Sequence, residues 1–110
     1  MIRFDILTLF PEMIEGIINS SILKRARENN LLEINIIDFR EFSTNKHHTV
    51  DDYAYGGGAG MLISVEPIHK ALVTIPGYEQ ATKILTTPSG KVFNQQMAID
   101  LSKEEHIIIV

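Results

Sequence analysis

The sequence predicts an α/β fold, a mostly parallel sheet with helices on both faces. Stretches of two-residue apolar alternation take turns along the chain with stretches of helical spacing, the order a parallel sheet requires. Turn-forming residues fall at the junctions. The last segment, Ile107-Ile108-Ile109-Val110, is wholly apolar and β-branched, as suits a strand buried on both faces.

The first strand is predicted over residues 2–9, where Ile2, Phe4 and Ile6 alternate with Arg3, Asp5 and Leu7. Phe10-Pro11-Glu12 then opens a helix, because proline suits a first turn and an acidic residue suits the helix dipole there. Met13, Ile14, Ile17, Ile18 and Ile22 share one face and are the expected buried stripe. Ser20-Ser21 divides this region into two helices, with serine as the second N-cap, and Asn29-Asn30 ends it. A second strand is expected over residues 32–39. Residues 40–60 carry no sustained periodicity and read as a long loop, a kind that compact domains keep for function or leave disordered. The next helix spans residues 64–75, with Pro67 in its first turn, Ile68, Ala71, Leu72 and Ile75 facing inward, and Pro76-Gly77 as its stop. A third strand covers residues 82–86, and Thr87-Pro88-Ser89-Gly90 turns out of it. Asn94 caps a helix to about Lys103 that buries Met97, Ala98 and Leu101. A fourth strand follows at residues 107–110.

Composition narrows the classes. With 45% apolar residues, a chain of 110 can fill one small core. No run reaches the roughly 18 apolar residues of a membrane span, and Arg3 and Asp5 interrupt the N-terminal apolar stretch, which is unlike a signal peptide. Cysteine is absent, so neither disulfides nor thiolate metal sites are possible, which fits a reducing compartment. A formal charge of −4 argues against nucleic-acid binding by bulk electrostatics, though not against local patches such as Lys24, Arg25 and Arg27, or Arg40 and Lys46. An apolar strand ending at Val110 would leave a carboxylate in or near the core. The natural chain is therefore expected to continue, and this span to be part of a longer domain.

In parallel sheets ligands bind beyond the carboxyl ends of the strands, which directs attention to two turns. Tyr55-Gly56-Gly57-Gly58-Ala59-Gly60-Met61 allows close backbone approach to a ligand, and its N–H groups can meet anions or base edges. It lacks the lysine of a phosphate-binding loop and the strand-to-helix setting of a dinucleotide fingerprint, and a flexible connector has the same composition. Leu85-Thr86-Thr87-Pro88-Ser89-Gly90 ends a predicted central strand, where freed backbone groups can bond a purine edge. A plain strand-to-helix turn reads the same way. Lys46-His47-His48-Thr49-Val50-Asp51-Asp52 holds metal-type donors, but at a spacing that fits no standard site. It suits contact with phosphates through Lys and His, and with a guanine edge through Asp. No catalytic triad or paired carboxylates stand out. These residues alone leave an enzyme, a nucleotide- or phosphate-binding module and a non-catalytic dimerisation module open.

The order of motifs goes further. Leu7-Thr8-Leu9-Phe10-Pro11-Glu12-Met13 is followed by Asp38-Phe39-Arg40-Glu41-Phe42, Asn45-Lys46-His47, Val50-Asp51-Asp52-Tyr53, the glycine-rich segment, Glu66-Pro67 and Thr87-Pro88-Ser89-Gly90. In that order and spacing they resemble the bacterial tRNA guanine-N1 methyltransferases, knotted enzymes of the SPOUT superfamily. The family often has Arg-Pro at Tyr53-Ala54, Pro or Gln at Ala59, and Ser-Pro-Gln-Gly at Thr87-Pro88-Ser89-Gly90, which alters side-chain but not backbone contacts. The resemblance implies the N-terminal part of a trefoil-knot methyltransferase domain, without the knot region. It implies methyl transfer from S-adenosylmethionine to N1 of the guanosine 3′ of the anticodon, by a cytoplasmic homodimer with its site at the subunit interface. By likeness, Leu85, Thr86, Thr87, Pro88 and Ser89 line the adenosine side of the donor pocket. Gly57, Gly58 and Gly60 lie near the donor and target guanine. The segment from Lys46 to Asp52, with Lys46, His47 and Asp51 as its tRNA contacts, lies by the tRNA and orders only when tRNA binds. The family's general-base Asp and its helper Arg fall beyond Val110, so no catalytic residue and no metal ligand is expected in this span, and the span alone is expected to be inactive. Gly57 and Thr87 are expected on the same rim of the sheet.

Overall fold

The computed structural model describes residues 1–43, 51–53, 61–63 and 65–110, the two three-residue segments as main chain only. Four strands, β1 (Ile2–Thr8), β2 (Leu32–Asp38), β5 (Thr82–Ile84) and β6 (His106–Ile109), form one sheet in the order β2-β1-β6-β5. Every pairing in it is parallel: Ile2 to Thr8 run beside Leu32 to Asp38, Arg3 to Ile6 beside His106 to Ile109, and Thr82 to Ile84 beside Ile107 to Ile109. The long connections between these strands carry the helices α1 (Pro11–Ile18), α2 (Ser21–Glu28), α3 (Val65–Val73) and α4 (Gln95–Leu101). Parallel neighbours need such crossovers because a tight turn cannot reverse the chain twice.

The register sorts side chains onto two faces. Leu7, Ile37 and Ile108 point to the face covered by α3, where they meet Ala71 and Ile75, with Phe39 and Ala81 closing the cluster. Phe4, Ile107 and Ile109 point to the other face, toward Ala98 and Leu101 of α4. Ile34 and Ile36 share that second face with Ile18 at the end of α1. Helices thus lie on both faces, as expected. Ile108, fully buried, is central to the core, and its burial contributes roughly 1.5–3 kcal/mol.

The α3-side face also holds charge. Asp5 is 2% exposed and accepts a hydrogen bond from His106 Nε2 at 2.5 Å. Arg3 Nε lies 3.1 Å from the same carboxylate oxygen, but its N–H is not aimed at it, so the contact is ionic only. Another Arg3 nitrogen donates to the Pro76 carbonyl at 3.4 Å.

Several expectations need correction. The α1 stripe is not buried as a whole: Ile18 is, whereas Met13, Ile17 and Ile22 are 67%, 58% and 76% exposed. Ile14 is half-buried, so the stripe is split: Ile14 and Ile18 turn inward while Met13 and Ile17 turn outward. Ser20 holds the N-cap position of α2, but its hydroxyl donates back to the Gly16 and Ile17 carbonyls rather than accepting from α2. Residues 40–60 are not one loop. Phe39–Phe42 forms a single 3-10 turn capped by Asp38, whose side chain accepts from Arg40 N at 2.9 Å. Further on, β3 (Asp51–Tyr53) pairs antiparallel with β4 (Met61–Ile63), a hairpin too short to show alternation. In α4, Met97, Ala98 and Leu101 are half-buried rather than buried.

Candidate functional site

Because the sheet is parallel, the carboxyl ends of its strands share one rim. A cleft of about 450 Å³ opens there. Leu7, Thr8, Leu9 and Phe10 supply one wall as β1 ends, and Phe39 supplies another where β2 ends. Val65 and Ile68 enter from the first turns of α3, and Leu85, Thr86 and Val110 from the ends of β5 and β6. Phe10 is held by a short turn in which its N–H donates to the Thr8 hydroxyl at 3.0 Å. The walls are mainly aliphatic and aromatic, with Phe10, Val65 and Leu85 largely exposed. Apolar walls beside strand-end backbone groups suit a flat heterocycle, whose faces need apolar contact and whose edge needs hydrogen bonds.

The turn leaving β5 is shaped from within. Gly90 N donates to the Thr87 carbonyl at 3.3 Å, Ser89 N reaches the Thr87 hydroxyl at 3.4 Å, and the Thr87 and Ser89 hydroxyls lie 3.2 Å apart. Gly90 has no left-handed backbone; an added Cβ would sit 3.0 Å from Thr87 Cγ2, so that methyl would have to give way. Asn94, four residues on, starts α4, its side chain accepting from Met97 N at 2.9 Å.

Of the residues singled out for the donor side, Leu85 and Thr86 line the cleft, and Thr87, Pro88 and Ser89 form the exposed turn beside it. Asp51 opens β3, and nothing is described of its side chain. Lys46, His47, Gly57, Gly58 and Gly60 lie outside the described residues, so the expected meeting of Gly57 and Thr87 on one rim, and the ordering of the Lys46 region by tRNA, fall outside them too. Sequence reasoning missed Phe10, Val65 and Ile68 as cleft residues. It took Phe10 as a helix-opening residue and Ile68 as plain core. Their positions just after a strand and at a helix start were the available signal.

Among the described residues, no group of three or more His, Asp or Glu is placed to hold a metal ion. Nor is any helix among them long and apolar enough to cross a membrane.

Comparison with known proteins identifies a family. The family model described as tRNA (Guanine-1)-methyltransferase TrmD matches residues 2–110. The tRNA (guanine-N(1)-)-methyltransferase of Staphylococcus aureus strain MRSA252 is 50% identical over 108 residues, covering 98% of this chain and 44% of the relative. That of strain JH9 is 49% identical over the same length. The crystal structure of tRNA (m1G37) methyltransferase from Aquifex aeolicus superposes with a TM-score of 0.85 at 37% identity, covering 98% of this chain and 49% of that one. The chain therefore spans about half the length, or slightly less, of the proteins it matches.

Proposed function

Because this chain belongs to the tRNA (guanine-1)-methyltransferase family, we propose that the protein carrying it transfers a methyl group from S-adenosylmethionine to N1 of the guanosine 3′ of the anticodon. The observation that carries this reading is the family match along residues 2–110, the same span that builds the rim cleft with Leu85 and Thr86 in its wall.

Leu85, Thr86, Thr87, Pro88 and Ser89 are assigned to the adenosine end of the methyl donor. The fit is chemical: an apolar wall accepts the face of a purine, and a turn already closed on itself loses little entropy on binding. When bound, S-adenosylmethionine supplies an electrophilic methyl group. The chain's part is to hold that end of the donor and to exclude water from one side of it. Lys46, His47 and Asp51 are assigned to tRNA, with Gly57, Gly58 and Gly60 near the target base, where glycine permits close backbone approach. Local cations serve RNA despite a net charge of −4, because phosphate contacts act at short range under physiological screening. Attack by N1 on the methyl requires loss of the N1 proton, and on this reading the general base lies outside these 110 residues. Alignment of the two reactants can supply up to about 7–11 kcal/mol of the barrier reduction, and the base adds roughly a hundred- to ten-thousand-fold. We assign the protein to the cytoplasm, where tRNA is. A homodimer is the proposed assembly, supported by the apolar side chains of Met13, Ile17 and Ile22 left exposed on α1 and α2.

Calorimetry with S-adenosylmethionine tests the reading on this chain and on one extended to the full length of its relatives. Binding is expected from the extended chain only, together with methylation of tRNA bearing guanosine 3′ of the anticodon. Tight binding by the 110-residue chain would show the donor pocket to be misplaced, and an extended chain that leaves tRNA unmethylated would overturn the function.

A further inference from the structure

We infer that Thr86 is a positioning residue for the methyl-donor side of the rim: its hydroxyl ties the end of β5 to the end of β6 and so sets the direction in which the Thr87-Pro88-Ser89-Gly90 turn leaves the sheet. The inference rests on the assignment of that turn to the donor, given above.

The paired strands end at Ile84 and Ile109. Past that point Val110 N donates to the Ile84 carbonyl at 2.9 Å, and Thr86 N donates to the main-chain oxygen of Val110 at 3.0 Å. The Thr86 hydroxyl donates to that same oxygen at 2.8 Å. One acceptor therefore holds Thr86 by two arms. A single hydrogen bond leaves a pivot, whereas two from one residue, through its backbone and its χ1, restrict rotation about it. The bonds inside the turn, from Ser89 and Gly90 back to Thr87, fix its shape but not its aim relative to the sheet. Thr86 is the last residue attached to the sheet before the turn, so the aim is decided there. Its single hydroxyl proton is committed to Val110 and is not free to be donated to a ligand. The side chain thus acts on a bound ligand through the turn and through the adjoining wall at Leu85.

Thr86 is exposed, so water competes for its hydroxyl and the net effect of the bond is small. Its consequence is the fraction of molecules with the turn correctly aimed, which appears in donor affinity. The test is steady-state methyl transfer by the full-length natural protein, comparing Thr86→Val and Thr86→Ser with the unaltered form. Valine keeps the shape and removes the hydroxyl; serine keeps the hydroxyl. Thr86→Val is expected to raise the KM for S-adenosylmethionine about three- to tenfold, with kcat at saturating donor within about twofold. Thr86→Ser is expected to restore the KM. An unchanged KM in Thr86→Val, or a Thr86→Ser variant equally impaired, would overturn the inference. So would parallel losses of kcat and folded protein, which mark a merely structural residue. An unaltered protein that transfers no methyl group would overturn the functional reading itself, and the inference with it.

Discussion

Asp5 lies midway along β1 and Thr86 just past the end of β5, and each pairs polar groups that the backbone pattern alone does not require. Asp5 alternates correctly as a strand residue, yet it is buried, which a carboxylate tolerates only with partners. His106 and Arg3 are those partners, and the parallel register of β1 and β6 brings Arg3 opposite His106. Asp5→Ala leaves a largely buried His106 without its acceptor, and the expected loss is about 1–3 kcal/mol, read from the urea unfolding midpoint at constant m-value. A midpoint that stays in place would mean that the cluster is solvated and neutral. Gly90 and Gly77 make a second contrast at this scale. Gly77 takes a φ of +78°, a conformation other residues rarely adopt, whereas at Gly90 an added Cβ would only crowd a neighbour's methyl group. Composition shows two turn glycines; the reasons for them differ.

Among elements, α4 is one whose start the sequence located, although its apolar residues are only half-buried. Asn94 occupies the N-cap with extended backbone and its side chain accepts from Met97 N. Asn94→Ala is expected to cost about 1 kcal/mol, and amide exchange should quicken in the first turn of α4 while β1 keeps its protection. Equal quickening in both would show that the cap stabilises the whole fold rather than one helix. The α1 and α2 pair shows a further case. Helical spacing identified both helices and the break between them, but not which residues of the stripe face inward. An eight-residue helix presents few apolar positions, and contact with the sheet at Ile18 satisfies the packing without Met13 or Ile17. The serine at the break was read correctly as punctuation. Its hydroxyl nevertheless closes the end of α1 instead of opening α2, because the Gly16 and Ile17 carbonyls at that helix end lie within its reach.

For the molecule as a whole, β6 decides cooperativity. It lies between β1 and β5 although it comes last in sequence, so the central strand pair joins residues about a hundred positions apart. Ile108 is 0% exposed and packs with Leu7, Ala71 and Ile75 from separate parts of the chain. Ile108→Ala is expected to cost about 2–5 kcal/mol, and circular dichroism and intrinsic tyrosine fluorescence should still report one coincident unfolding transition. Two separated transitions would mean that the β1–β2 half folds without β6. Placing β6 centrally also puts its carboxyl end beside those of β1 and β5, and the rim cleft exists only because of that arrangement.

How much of this was legible beforehand differs from residue to residue. Alternation at Ile2, Phe4 and Ile6, the apolar run at residues 107–110, and the turn signals at Pro11, Pro76-Gly77 and Asn94 each act within a few residues, so the chain itself carries them. The ordered motifs likewise identified the family. The β3–β4 hairpin escaped notice because three-residue strands are too short for a period to emerge. Phe10, Val65 and Ile68 escaped as cleft residues because an apolar side chain looks the same in sequence whether it fills a core or borders an opening. The sequence by itself determined the types and order of the four strands and four helices of the parallel layer, since these depend on local periodicity and on what a crossover can connect. Only the tertiary structure decided the strand order, the split of the α1 stripe and the double hold of Val110 on Thr86, because each depends on which distant segments come to lie side by side.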